Sequence, residues 1–140
     1  MSTANQVIPT DLAIKEIQDF VTKFDYKAKK DWEVKDDYPN MLQAVEEGLL
    51  SFDDKKKPTY KLRFPIKNDK KEIAIDTLNF RTRIRPQELS TVMRGLDISK
   101  NQIEYTLRCF AFLTGQPIAV IDKLEKFDYK VMEQVSTVFL

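Results

Sequence analysis

"YKLRFPIKNDKKEIAIDTLNF", residues 60 to 80, is where the hydrophobic period changes. Tyr60, Leu62, Phe64 and Ile66 alternate with Lys61, Arg63 and Pro65, the pattern of a strand with one buried face. Pro65 lacks a ladder donor, which argues for an edge position. After the turn-like "KNDKK", Ile73 and Ile75 alternate again, while Leu78 and Phe80 continue in the opposite phase, so a β-bulge is expected near Asp76 and Thr77. The segment predicts one β-hairpin over about residues 59 to 82.

Outside the hairpin the spacing is helical. Ile14, Ile17, Val21 and Phe24 fall three and four apart, with Thr10 or Asp11 as N-cap. A charged stretch runs to Asp37, and then Pro39 opens a second helix with Leu42, Val45 and Leu49 on one face. "DDKKKP", residues 53 to 58, reads as a linker. Beyond the hairpin, Pro86 and Gly95 bracket a helix carrying Leu89, Val92 and Met93. Ser99 and Gln102 stand at capping-box spacing before a helix that Gly115 stops. That helix is apolar on one face through Ile103, Leu107, Phe110 and Ala111, and on the other through Tyr105, Cys109, Phe112 and Leu113, so it is either central or touches a partner. A short helix from Pro117 and a terminal helix follow. The prediction is an α+β, mainly helical domain with one hairpin, divided into an N-terminal helical extension (residues 1 to 58) and a hairpin-plus-helices module (residues 59 to 140).

The pentapeptide "KFDYK" occurs twice, at residues 23 to 27 and 126 to 130. A true duplication would carry matching flanks, yet only Asp19 with Asp122 and Val21 with Leu124 agree nearby, so the repeat reads as coincidence in a lysine-rich chain.

Composition argues against most chemistry. The 140 residues carry 23 basic and 22 acidic side chains and no histidine, which removes the commonest general base and metal ligand. Adjacent acids such as Asp36 with Asp37, Glu46 with Glu47, and Asp53 with Asp54 point to different sides and make poor catalytic dyads. Three glycines cannot build a phosphate-cradling loop. No catalytic residue, metal site or cofactor is expected, and the chain reads as a non-enzyme. Cys109, the sole cysteine, sits in "LRCFAFL" and is expected to be a buried, unreactive core residue, consistent with a reducing cytoplasm. The start "MSTANQVIPTDL" has no export-signal pattern, and no apolar run approaches the ~20 residues of a membrane span.

Two groups of residues suggest binding. Arg81, Arg83 and Arg85 alternate, so all three would project from one side of an extended segment and could contact phosphates, although the net charge of +1 supplies no global field for nucleic acid. A strand edge kept solvated by charge is the plainer reading of the same arginines. The stripe Leu124, Phe127, Val131, Val135 and Val138 is expected to be shared: Phe127 and Val131 in the core, and Val135, Val138, Phe139 and Leu140 facing a partner.

The order of these features resembles a known family. "YKLRFPIKNDKKEIAIDTLNFRTRIRPQEL" looks like the opening of the small tail assembly chaperones of long-tailed bacteriophages: a strand ending in Pro-Ile, a charged turn, then a second strand ending in Leu-x-Phe-Arg before a helix. "FAFLTGQPIAVIDKLEKFDYKVMEQVSTVFL" resembles their C-terminal part, with a Leu-Thr-Gly helix stop, a short helix, an Asp-Tyr pair and a terminal helix ending in Phe-Leu. The resemblance covers about residues 59 to 140, and residues 1 to 58 depart from it. It implies a protein that binds tape measure protein or other tail proteins in the host cytoplasm. A structural component of the virion tail or baseplate and a nucleic-acid-binding adaptor acting through the three arginines are the alternatives, and self-association as a homo-oligomer stays open beside each.

Overall fold

A computed structural model of the chain describes residues 6 to 140, so the first five residues of the stretch judged for an export signal lie outside the described residues. The order of elements is α1 (Thr10–Asp25), α2 (Asp31–Asp37), α3 (Pro39–Glu46), β1 (Leu50–Phe52), β2 (Pro58–Lys67), β3 (Ile73–Asn79), α4 (Pro86–Met93), α5 (Gln102–Thr114), α6 (Ile118–Ile121) and α7 (Lys126–Phe139). This is an α+β, mainly helical fold with one antiparallel three-stranded sheet, in the order β1-β2-β3.

One hydrophobic core collects Ile17, Phe20 and Val21 from α1, Met41 and Val45 from α3, Leu50, Tyr60 and Leu78 from the sheet, Phe110 and Leu113 from α5, and Val131, Met132 and Val135 from α7. Residues 6 to 58 and 59 to 140 therefore share a core. Burying each of these large side chains contributes about 1.5–3 kcal/mol. α3 and α7 are also tied by polar contacts. The Met41 N–H, in the first turn of α3 where no intrahelical acceptor exists, donates to Gln134 Oε1 at 2.8 Å. Gln134 Nε2 in turn donates to Asn40 Oδ1 at 3.0 Å.

Several local expectations are corrected. The second helix stops at Glu46, Gly48 takes φ +75°, and Leu50–Phe52 pairs with β2 as a third strand. The charged stretch before Pro39 is helical, with Val34 its one buried residue. α5 begins after Asn101, and the Ser99 hydroxyl donates to Asp97 Oδ1 at 2.7 Å instead of capping it.

The hairpin correction matters most. β2 is the central strand, although it contains Pro65. Lys61 pairs with Thr77 and Ile66 with Ile75, so four residues of β2, Leu62 to Pro65, stand opposite Asp76 alone. The slip lies near Asp76, but the additional residues are on the other strand. Pro65 is tolerated there because the ladder is already interrupted.

Candidate functional site

An interrupted ladder leaves backbone N–H groups without strand partners, and such groups need acceptors when shielded from water. Asp128, fully buried in the first turn of α7, supplies them. Its Oδ1 accepts the Arg63 N–H at 3.0 Å and its Oδ2 the Phe64 N–H at 3.1 Å. The Tyr60 hydroxyl also donates to Oδ1, at 2.5 Å. Desolvation raises the Tyr60 phenol far above its ordinary value, and the bond to Asp128 raises it further, so the phenol stays protonated and donating. Around this junction the Arg63 guanidinium lies 4.0 Å over the Phe127 ring and pairs with Glu47 beyond the end of α3. Tyr129 packs on Phe110 at 5.4 Å. With three donors converging on one carboxylate, Asp128 is a structural acceptor.

The C-terminal stripe is more deeply buried than expected. Val131 is in the core as predicted, and Phe127 is half-buried under Arg63. Val135 and Val138, expected to face a partner, are 0% and 2% exposed, because α7 packs against α1, α3 and α5 at once. Phe139 is also corrected: its ring lies 5.5 Å from Phe20, 5.1 Å from Phe24 and 6.4 Å from Phe80 in an aromatic cluster. Leu140 alone of the four is exposed, at 47%.

Leu140 borders a groove between α5 and α7, a cavity of about 250 Å³ lined by Tyr105, Thr106, Phe110, Glu133 and Ser136 among others. Ser136 Oγ is buried here without a hydrogen-bond partner. Cys109 forms part of the groove wall and is 3% exposed. Burial pushes its thiol above the ordinary value, more than the neighbouring Tyr105 hydroxyl pulls it down, so little thiolate forms near neutral pH. Of the groove's residues, only Leu140 was identified from the sequence as facing a partner. The signal for it was the apolar character of α5 on both sides.

Arg81, Arg83 and Arg85 do come together. They lie beyond the end of β3, in a segment outside the sheet along which exposed arginines alternate with half-buried Thr82 and Ile84, and line one cleft of about 530 Å³ with Gln87, Glu88 and Thr91. The reading of these arginines as a charged strand edge is therefore corrected. Arg81 donates to Glu88 Oε2 at 2.7 Å and stacks 4.4 Å over the Phe112 ring. The Arg85 N–H on Glu88, followed by the Arg81 guanidinium, holds the Glu88 carboxyl below the usual carboxylate range.

Among the described residues no cluster of three or more metal-ligating side chains occurs, and no helix is long and apolar enough to cross a membrane. No protein-family model, curated protein or solved structure matches the chain.

Proposed function

We propose that this chain is a bacteriophage tail assembly factor, a chaperone that binds the tape measure protein or another tail protein in the host cytoplasm and performs no chemistry. One observation carries the reading: the two separate stretches that resemble the tail assembly chaperones meet physically at Asp128. The strand ending in Pro65 and Ile66 carries the interrupted ladder, and the Asp-Tyr pair of the second stretch supplies the acceptor for it. Gly115, at φ 69°, ends α5 where the Leu-Thr-Gly stop stands, and α6 and α7 follow in the order the resemblance implies. A single module spanning both stretches requires such contact between them.

The reading assigns the partner's seat to the groove between α5 and α7. Its volume of about 250 Å³ lies below the ~300–1,000 Å³ of small-molecule sites and suits an apolar anchor of an amphipathic helix. The test is co-expression with the tape measure protein encoded by the same genome, followed by affinity capture and gel filtration. A stable complex that keeps the tape measure protein in solution is expected, and Leu140→Asp should weaken capture by about tenfold without altering the melting temperature. Absence of a complex, with no effect on tape measure solubility, would overturn the reading.

A further inference from the structure

The arginine cleft has no part in the groove reading, yet its geometry is specific. Phe80 is buried at the start of the segment, and the Arg81 N–H donates to the Leu113 carbonyl at 2.8 Å. At the other end the Arg85 N–H donates to Glu88 Oε1 at 3.0 Å, and Ile84 packs against the core between these anchors. With Phe80 and Ile84 inward, the alternation of an extended chain sends Arg81, Arg83 and Arg85 into the same cleft. Three guanidiniums against the one carboxylate of Glu88 leave 3 − 1 = +2 in the cleft. Arg81 has Glu88, whereas no carboxylate stands within ion-pair distance of Arg83 or Arg85 among the described residues. Edge protection does not account for this charge, because the segment lies outside the sheet.

We infer that the cleft formed by Arg81, Arg83 and Arg85 is a docking site for an acidic protein segment, read through carboxylates. The Arg81–Glu88 pair already shows a carboxylate seated on one of the guanidiniums. Alternate residues of an extended chain stand ~6.6 Å apart, and helix positions four apart rise ~6 Å, so glutamates at every fourth position of a helix would match the arginine spacing. A nucleic acid is a poorer fit: Phe80 is buried and the Phe112 ring is covered by Arg81, which leaves no ring in the cleft for base stacking. This site goes beyond the tail-assembly reading and does not depend on it.

The test is fluorescence anisotropy with a labelled alanine-rich helical peptide bearing glutamate at every fourth position, beside a single-stranded RNA of equal charge. Arg83→Glu with Arg85→Glu should weaken peptide binding by about tenfold or more. Lys67→Glu with Lys70→Glu makes the same charge change on the exposed β2–β3 hairpin and should leave affinity within about twofold, with added salt weakening every complex. All these side chains are exposed, so melting curves should superimpose and a loss of binding will report the site rather than unfolding. No peptide binding, or equal loss in both double variants, would overturn the proposal. Tighter binding of the RNA than of the peptide would overturn the acidic-protein assignment. Salt-sensitive dimerisation abolished by the arginine pair would do the same, by giving the cleft to a second copy of this chain.

Discussion

The two KFDYK copies put the same aspartate and tyrosine into opposite structural roles. In the first, α1 ends at Asp25, whose carboxylate pairs with the neighbouring Lys27 at 3.7 Å, and Tyr26 closes the helix at φ 57° with 89% of its surface exposed. In the second, the pentapeptide opens α7. Its Asp128 is fully buried on the interrupted strand, its Phe127 lies beneath Arg63 and its Tyr129 packs on Phe110. Five residues do not determine their own environment. What differs is what is packed against them: at the end of α1 only Phe24 turns to the core, onto Phe20 and Phe139, while Tyr26 faces solvent; at the start of α7 the central strand and α5 cover Phe127, Asp128 and Tyr129.

Matched substitutions can break this comparison, and the aspartates should give the largest contrast. Asp128→Ala strips the acceptor from two backbone N–H groups and the Tyr60 hydroxyl. At about 1–3 kcal/mol for each backbone donor left unsatisfied, the loss should be roughly 2–6 kcal/mol in urea unfolding. Asp25→Ala should stay within about 0.5 kcal/mol. Comparable losses at the two positions would remove the distinction between the copies.

Thiol labelling sharpens the contrast from another direction. A polar reagent at pH 8 should modify Cys109 slowly, since burial both raises its pKa and blocks access. For a thiol whose folded pKa is raised, the neutral form is favoured, and the associated stability is complete below the unfolded pKa and is lost as pH rises from there through the raised value. Asp128→Ala should accelerate labelling many-fold through opening of α7, and Asp25→Ala should not. Rapid labelling of the unaltered chain would contradict the packing of α5 against α7.

The tyrosines should differ in sign. Tyr129→Gly removes an aromatic pair and places glycine inside a helix, so a destabilisation of about 2 kcal/mol or more is expected. Tyr26→Gly relieves a left-handed residue and should stabilise by up to about 1 kcal/mol, the smallest of these effects. A drop in melting temperature at Tyr26 would mean that its ring makes a contact its exposure conceals.

The sequence was informative where periodicity and punctuation coincide. α1 and the terminal helix follow from apolar spacing, the hairpin from alternation around a charged turn, and the end of α5 from Gly115. It was silent where tertiary contact decides. β1 is three residues long, and Leu49 continues the helical spacing of α3, so nothing local separates the two elements. α2 buries only Val34 and therefore has almost no apolar pattern to read. A valine stripe such as Val135 and Val138 has the same periodicity whether its own domain or a partner covers it, and here α1, α3 and α5 do. Asp128 lay hidden among lysines because the strand that needs it is 64 residues or more away in sequence. The arginine cleft was more legible, since alternation alone placed three guanidiniums on one side of the segment.

We propose that this chain binds a tail protein during assembly. It is tested most directly by quantitative mass spectrometry of purified phage particles beside tape measure complexes isolated from infected cells. The account predicts the chain in the complexes and its absence from finished particles. A stoichiometric amount in the particles, with none on the tape measure protein in lysates, would contradict it.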